Sequence, residues 1–247
     1  MSIFPILLIP VLFGAIHALE FTAILARIAG ISTNNNVLGY SIQQAVYVGT
    51  RLFSLMLLPV LGFIVDRAVP VHTFQIMVFV SLLAAAVASV LVFAAKKYVV
   101  IYFQRVINAY LKSQNFIGAF VFNRHVSPGQ SAIFEKLSFG RVFRIPGAKK
   151  ILFQSSVVYA IYGTGMFLAF YFALLTPEYR ASISQLSGII NGFGAVLLTF
   201  FVEPRISRGI DSKSKHASDL VIAMLLGRFI GVAFLAQIVL VTVFWLT

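Results

Sequence analysis

Three ionisable side chains interrupt an apolar run near the start of the chain: His17, Glu20 and Arg27, within HALEFTAILARIAG (17–30). At 100° per residue they share about 80° of a helix circumference. The next run carries Asn36, Tyr40, Gln44, Tyr47, Arg51 and Ser54, again within about 80°, with Gln43 beside them. A charge at mid-bilayer costs about 2.5–3.5 kcal/mol on insertion scales, so such groups face a bundle interior or a watery cavity. Two polar stripes on adjacent helices therefore point to one shared cavity. Arginine, imidazole and amides lining it suit a phosphorylated or sugar-bearing molecule.

A purely structural reading stands beside this one. A Glu20–Arg51 bridge would join the two helices, but it leaves His17 and Arg27 unexplained. Glu20 and Arg27 lie two turns apart, a poor fit to the i,i+4 spacing of helical ion pairs. Arg27 sits near the end of its run and Arg228 near the start of the last one, positions that also suit snorkelling to the interface. Asn191, Gly192 and Gly194, and likewise Gly163 and Gly165, suit close helix approach or a kink. Glu203-Pro204-Arg205 reads as a helix stop, and His125 and His216 as solvated loop residues.

Catalytic signatures are missing. The sequence has no phosphate-binding Gly-rich loop ending in Lys-Ser/Thr, no His-Glu-x-x-His and no Gly-x-Ser-x-Gly. Cysteine is absent, which excludes disulfides and thiolate chemistry. Seven acids, mostly at the ends of apolar runs, leave little for two-metal or group-transfer chemistry. The expectation is a non-enzyme without cofactor or metal.

The elements that must position the stripes are membrane spans. Of 247 residues 60% are hydrophobic and 11% charged, against about 25% charged in a soluble domain. Apolar runs at about 3–29, 37–65, 74–95, 151–175, 183–203 and 219–246 are long enough to cross a bilayer. The fold expected is a single all-α polytopic membrane domain over 1–247. Connection 96–150 carries ten basic residues against one acid, Glu135, and EPRISRGIDSKSKHASD (203–219) is basic too. Arg67 and Arg180 on the other side are offset by Asp66 and Glu178. The positive-inside bias then places the basic loops in the cytoplasm and both termini outside. The net charge of +12 reads as topology, not nucleic-acid binding. No basic segment precedes the first apolar run, which argues against a cleaved signal peptide.

Within the long connection, 96–116 sets Gln104, Asn108, Lys112 and Asn115 at helical spacing opposite Val, Ile, Phe and Tyr. That pattern predicts an amphipathic helix in the cytoplasmic interface. Residues 117–148 read as loop plus a short interfacial helix. GFIVDR (62–67) and LTFFVEPR (198–205) share an apolar run closed by Val, an acid and Arg. With three spans per half, this raises a 3+3 inverted repeat of the kind transporters use.

These stretches resemble the Amj family of lipid II flippases, small bacterial membrane proteins that substitute for the larger MurJ flippase. The resemblance lies in IHALEFTAILARIAGISTNN (16–35), SIQQAVYVGTRLFSLMLLPVLGFIVDR (41–67) and NGFGAVLLTFFVEPRIS (191–207). His17, Glu20, Thr22, Arg27, Ala29, Gly30, Arg51, Asp66, Asn191, Gly192, Glu203 and Pro204 match its pattern. Phe21 before Thr22, Asn34 to Asn36, and Glu203 where Asp is usual, depart from it. The resemblance implies translocation of an undecaprenyl-pyrophosphate-linked peptidoglycan precursor, lipid II, from the inner to the outer leaflet of the cytoplasmic membrane. On such a substrate, the polar stripes lead to the expectation that Arg27 and Arg51 hold the pyrophosphate, while Gln43, Gln44, Tyr47 and Asn36 meet sugar or peptide and Asn191 adds to the site. Glu20 would pair with an arginine in the empty site, and His17 and Glu20 would couple the cycle to protons. Other readings are a flippase for another polyprenol-linked glycan or a phospholipid, and a membrane enzyme or scaffold in envelope synthesis. Six spans form a thin wall around so large a headgroup, which leads to the expectation of a homodimer.

Overall fold

A computed structural model describes residues 4–123, 127, 139–145 and 147–247. Its regular structure is helical, and six helices are long and apolar enough to cross a membrane. They are α1 (Phe4–Ser32), α2 (Asn36–Asp66), α3 (Val71–Ala94), α7 (Ala148–Leu175), the run Pro177–Asp211, and the run Ala217–Leu246. The fifth comprises a 3-10 turn (Pro177–Tyr179), α8 (Arg180–Leu197), a π-helical turn (Leu198–Val202) and α9 (Glu203–Asp211). The sixth comprises α10 (Ala217–Ile230), a second π turn (Gly231–Leu235) and α11 (Ala236–Leu246). Shorter helices lie between α3 and α7: α4 (Lys96–Ser113), α5 (Phe116–Val121) and α6 (Phe139–Val142).

The fifth span corrects the expected stop at Glu203. Proline removes an N–H donor and clashes with the preceding turn, which would end a regular α-helix. Here the π turn at 198–202 widens the backbone just before Pro204, and the helix continues to Asp211. Glu203 consequently lies within a continuous helix, not in a loop.

The bundle is organised around α1 and α7. Helix α1 packs on α2, α3, α4 and α10, and α7 packs on α8, α10 and the following π turn. The first helix of each half thus carries the other two of its own half. Close approach is made by glycines. Gly30 and Gly39 oppose each other so tightly that a Cβ on Gly30 would lie 2.8 Å from the Gly39 Cα. Turn Thr33–Asn35, with Asn34 at φ 56°, reverses the chain there. Gly227 near the end of α10 and Gly231 at the start of the following π turn face the α7 backbone, and a Cβ on Gly227 would lie 2.6 Å from the Leu152 carbonyl oxygen. This small-xxx-small pair lets two membrane helices meet backbone to backbone.

Helix α4 forms where expected, but its polar face is not wholly outward. Gln104 is fully buried and donates to Ser32 Oγ at 2.7 Å, beside buried Val100, Phe103 and Ile107. Tyr98, Tyr102 and Leu111 stay exposed. Tertiary docking onto α1 chose the contact face, because one buried amide bond and three apolar side chains outweigh the polar stripe. Asn108 and Asn115 instead bond Ser127 O and Gly118 N. His125, Glu135 and most of the remaining loop expectation fall outside the described residues.

Candidate functional site

Helices α1, α2, α7 and α10 converge on a polar chamber at mid-span. Arg228 on α10 reaches across to α1, where one Nη2 donates to both Glu20 Oε2 and His17 Nδ1, the latter at 3.0 Å. That bond requires Nδ1 of His17 to be unprotonated. The Arg228 guanidinium also lies over the Tyr159 ring, 4.6 Å from its centroid. Arg228 is 2% exposed and Glu20 27%, so the cation is sealed while the carboxylate retains an outlet. Thr50 on α2 donates to Glu20 Oε1 at 3.4 Å.

Several neighbouring polar atoms are buried without a hydrogen bond, both amide atoms of Gln43 and Arg228 Nε, while the hydroxyls of Tyr47 and Tyr159 face each other. Orphaned buried donors and acceptors cost about 1–3 kcal/mol each, so such a cluster marks a place built for something other than packing. Tyr162 adjoins Tyr159, ring centroids 6.0 Å apart, and packs under Gly194 of α8. Arg51 is exposed midway along α2, acts electrostatically on Tyr162, and has no ion pair among the described residues. An unpaired mid-span arginine must face water or a ligand. Helix α8 packs on α7, and the Arg51 side chain stays exposed on α2.

A second ionic cluster lies about 10 Å farther along α1, seven residues at 1.5 Å rise. Arg27 is 3% exposed and pairs with Glu203 of α9, Nη1 to Oε2 2.9 Å, with Ser207 Oγ at 3.4 Å and the Tyr40 ring at 4.7 Å. At the opposite end, Arg180 meets the Asp66 carboxylate at 3.8 Å and its carbonyl at 3.3 Å. A cavity of about 540 Å³ opens there, lined by Asp66, Glu178, Arg180, Ser184 and Gln185 among others.

The structure therefore divides the two stripes. His17, Glu20, Gln43, Tyr47 and Arg51 gather at the chamber. Arg27 belongs to the end cluster with Tyr40, and Asn36 opens α2 at that same end. Gln44 is half-buried on α2 and has no hydrogen bond among the described residues. Asn191 faces α7 beside Gly165, its Oδ1 buried and unpartnered, a turn from the Gly194–Tyr162 contact. The Glu20–Arg51 bridge is replaced by Glu20–Arg228, and neither Arg27 nor Arg228 snorkels: both are buried against carboxylates. Arg228, Tyr159, Tyr162 and Glu203 were not among the site residues expected. The spacing of Gly227 and Gly231 around Arg228 is the signal that carries it, since small residues hold that helix face against a neighbour.

Comparison with known proteins adds three findings. The family profile described as "Amj: Alternate to MurJ" matches residues 12–246. The protein named "Lipid II flippase Amj" of Bacillus subtilis (strain 168) is 29% identical over 109 residues, a stretch covering 40% of this chain and 40% of that protein. No solved structure matches.

Proposed function

The chain belongs to the Amj family, whose profile matches nearly its whole length, and on that premise we propose that it translocates lipid II between the leaflets of the cytoplasmic membrane. The observation that carries this reading is the mid-span chamber: a buried arginine shared by Glu20 and His17, ringed by unpartnered polar atoms, beside a free arginine. A flippase must carry a pyrophosphate and its sugars through the bilayer while the polyprenyl tail stays in hydrocarbon. In this reading the headgroup meets the exposed Arg51 on α2 first, while the tail stays in the hydrocarbon outside.

In this mechanism the pyrophosphate pairs first with Arg51, then competes with Glu20 for Arg228. Bidentate guanidinium–phosphate bonding is stronger than a contact through one nitrogen, so the incoming anion displaces the carboxylate. Gln43, with both buried amide atoms unpaired, and Tyr47 take sugar or peptide groups, with Gln44 alongside. Glu20, released, is free to take a proton or to pair with His17, which supplies a route for proton coupling. Arg27–Glu203 and Asp66–Arg180 close the two ends of the path, with Asn36 and Asn191 at its margins. Both termini lie outside, and no covalent step occurs.

The deciding experiment is complementation of a bacterial strain depleted of its normal lipid II flippase, with lipid II measured in each leaflet. Restored growth and outward lipid II are expected. Unchanged leaflet distribution with altered lipid chemistry would replace this reading with an enzyme. Arg51→Ala protein is expected to insert normally and to translocate at least tenfold more slowly, since one charge-assisted contact is worth about 1.5–3 kcal/mol. Full-rate translocation by that variant would remove Arg51 from the path. A homodimer would thicken the wall around the headgroup. In-membrane cross-linking is expected to trap a two-chain species, and recovery of monomer alone would exclude it.

A further inference from the structure

A second basic site lies away from the chamber, where α7 begins and α9 meets α10. A cavity of about 390 Å³ is lined by Lys150, Arg205, Arg208, Ser212 and Ser214, with Gly147 and Gly209 at its wall. Among the described residues three cations and two hydroxyls line it, and no carboxylate does. Arg205 is held by donating from Nη1 to Gln154 Oε1 at 2.6 Å, which leaves its other N–H groups for a ligand. Lys150 and Arg208 have no hydrogen bond or ion pair among the described residues. Nearby acids are engaged or turned out: Glu203 pairs with Arg27, Asp219 with His216, and Asp211 is exposed. Three like charges around one hollow repel one another, so the arrangement gains from an anion. The backbone leaves room for one: Gly147 adopts φ 82°, and a Cβ there would meet nothing within 4 Å.

We propose that this cavity binds a phosphate ester at the membrane surface, the headgroup phosphate of an anionic phospholipid that is not itself transported. The rim holds the features expected of such a site: a helix start, a helix end and basic side chains between membrane spans. Arg205 lies two residues beyond Glu203 on α9, so an occupied site would brace the helix that carries the partner of Arg27. The proposal does not depend on the transport reading, because its readout is binding.

The test uses the full-length protein in mild detergent, with thermal stability measured against phosphatidylglycerol, phosphatidylcholine and inorganic phosphate. Phosphatidylglycerol is expected to stabilise the protein and phosphatidylcholine to leave it unchanged. Lys150→Gln/Arg208→Gln protein is expected to need roughly tenfold more phosphatidylglycerol for the same shift. Lys150→Arg/Arg208→Lys protein, which keeps both charges, retains the response and guards against a folding defect. Stabilisation by inorganic phosphate alone, lost in the same Gln variant, would keep the site and make its ligand a soluble phosphate. Equal responses of wild type and Gln variant to both would overturn the proposal.

Discussion

Arg228→Ala protein is expected to lose translocation altogether and to be less stable by about 3 kcal/mol, the low end of what breaking a buried ion pair costs. The low end applies because Glu20 retains 27% exposure and keeps some hydration. Alanine leaves the Glu20 carboxylate with only the Thr50 hydroxyl, removes the donor to His17 Nδ1, and takes the cation from the Tyr159 ring. Lost stability and lost transport separate in the double variant Glu20→Gln/Arg228→Gln. With both charges gone, no uncompensated ion remains, so stability recovers to within about 1 kcal/mol while transport stays absent. Thermal unfolding in detergent together with the leaflet assay measures both. Wild-type transport by the double variant would mean that the pair only joins α1 to α10.

The second large effect belongs to a residue without a side chain. Gly227→Val is expected to cost about 1–3 kcal/mol through overpacking, a drop of roughly 5 °C in unfolding midpoint, and to abolish transport. Even a Cβ at Gly227 would lie 2.6 Å from the Leu152 carbonyl oxygen and from Ser155 Cβ, and both contacts are with the fixed part of α7. Helix α10 must then move off α7, carrying Arg228 away from Glu20 and from Tyr159. Gly188→Val on α8 is the control, because a Cβ there meets nothing within 4 Å. That variant is expected to keep both stability and transport. Equal behaviour of the two variants would show that backbone contact between α7 and α10 is not required.

Much of the architecture was legible in order of residues alone. Hydropathy and length locate membrane helices locally, since a backbone without water must satisfy its own hydrogen bonds along the helix. The six expected spans accordingly match the six helices, with the fifth extended at both ends. The polar face of α2 was legible for the same reason: helical periodicity places Tyr47 and Arg51 on one side wherever the helix docks. Glu203 was misplaced because proline usually ends a helix, and a π turn is set by tertiary strain that local propensity does not encode.

The sequence by itself determined which segments enter the membrane, that α1 and α2 carry ionisable stripes, and that those charges need partners. Only the tertiary structure decided which partners. Glu20 took Arg228, 208 residues away, and Arg27 took Glu203 on a different helix. The physical reason is that an ion pair depends on position in space, and a helix wheel gives direction but neither depth nor neighbour. Depth separated Arg27 from Glu20 by two turns, and the glycine contact at Gly227 and Gly231 brought Arg228 to the level of Glu20. What looked like one stripe became a central chamber and an end cluster, and Arg51 was left exposed, with no ion pair among the described residues.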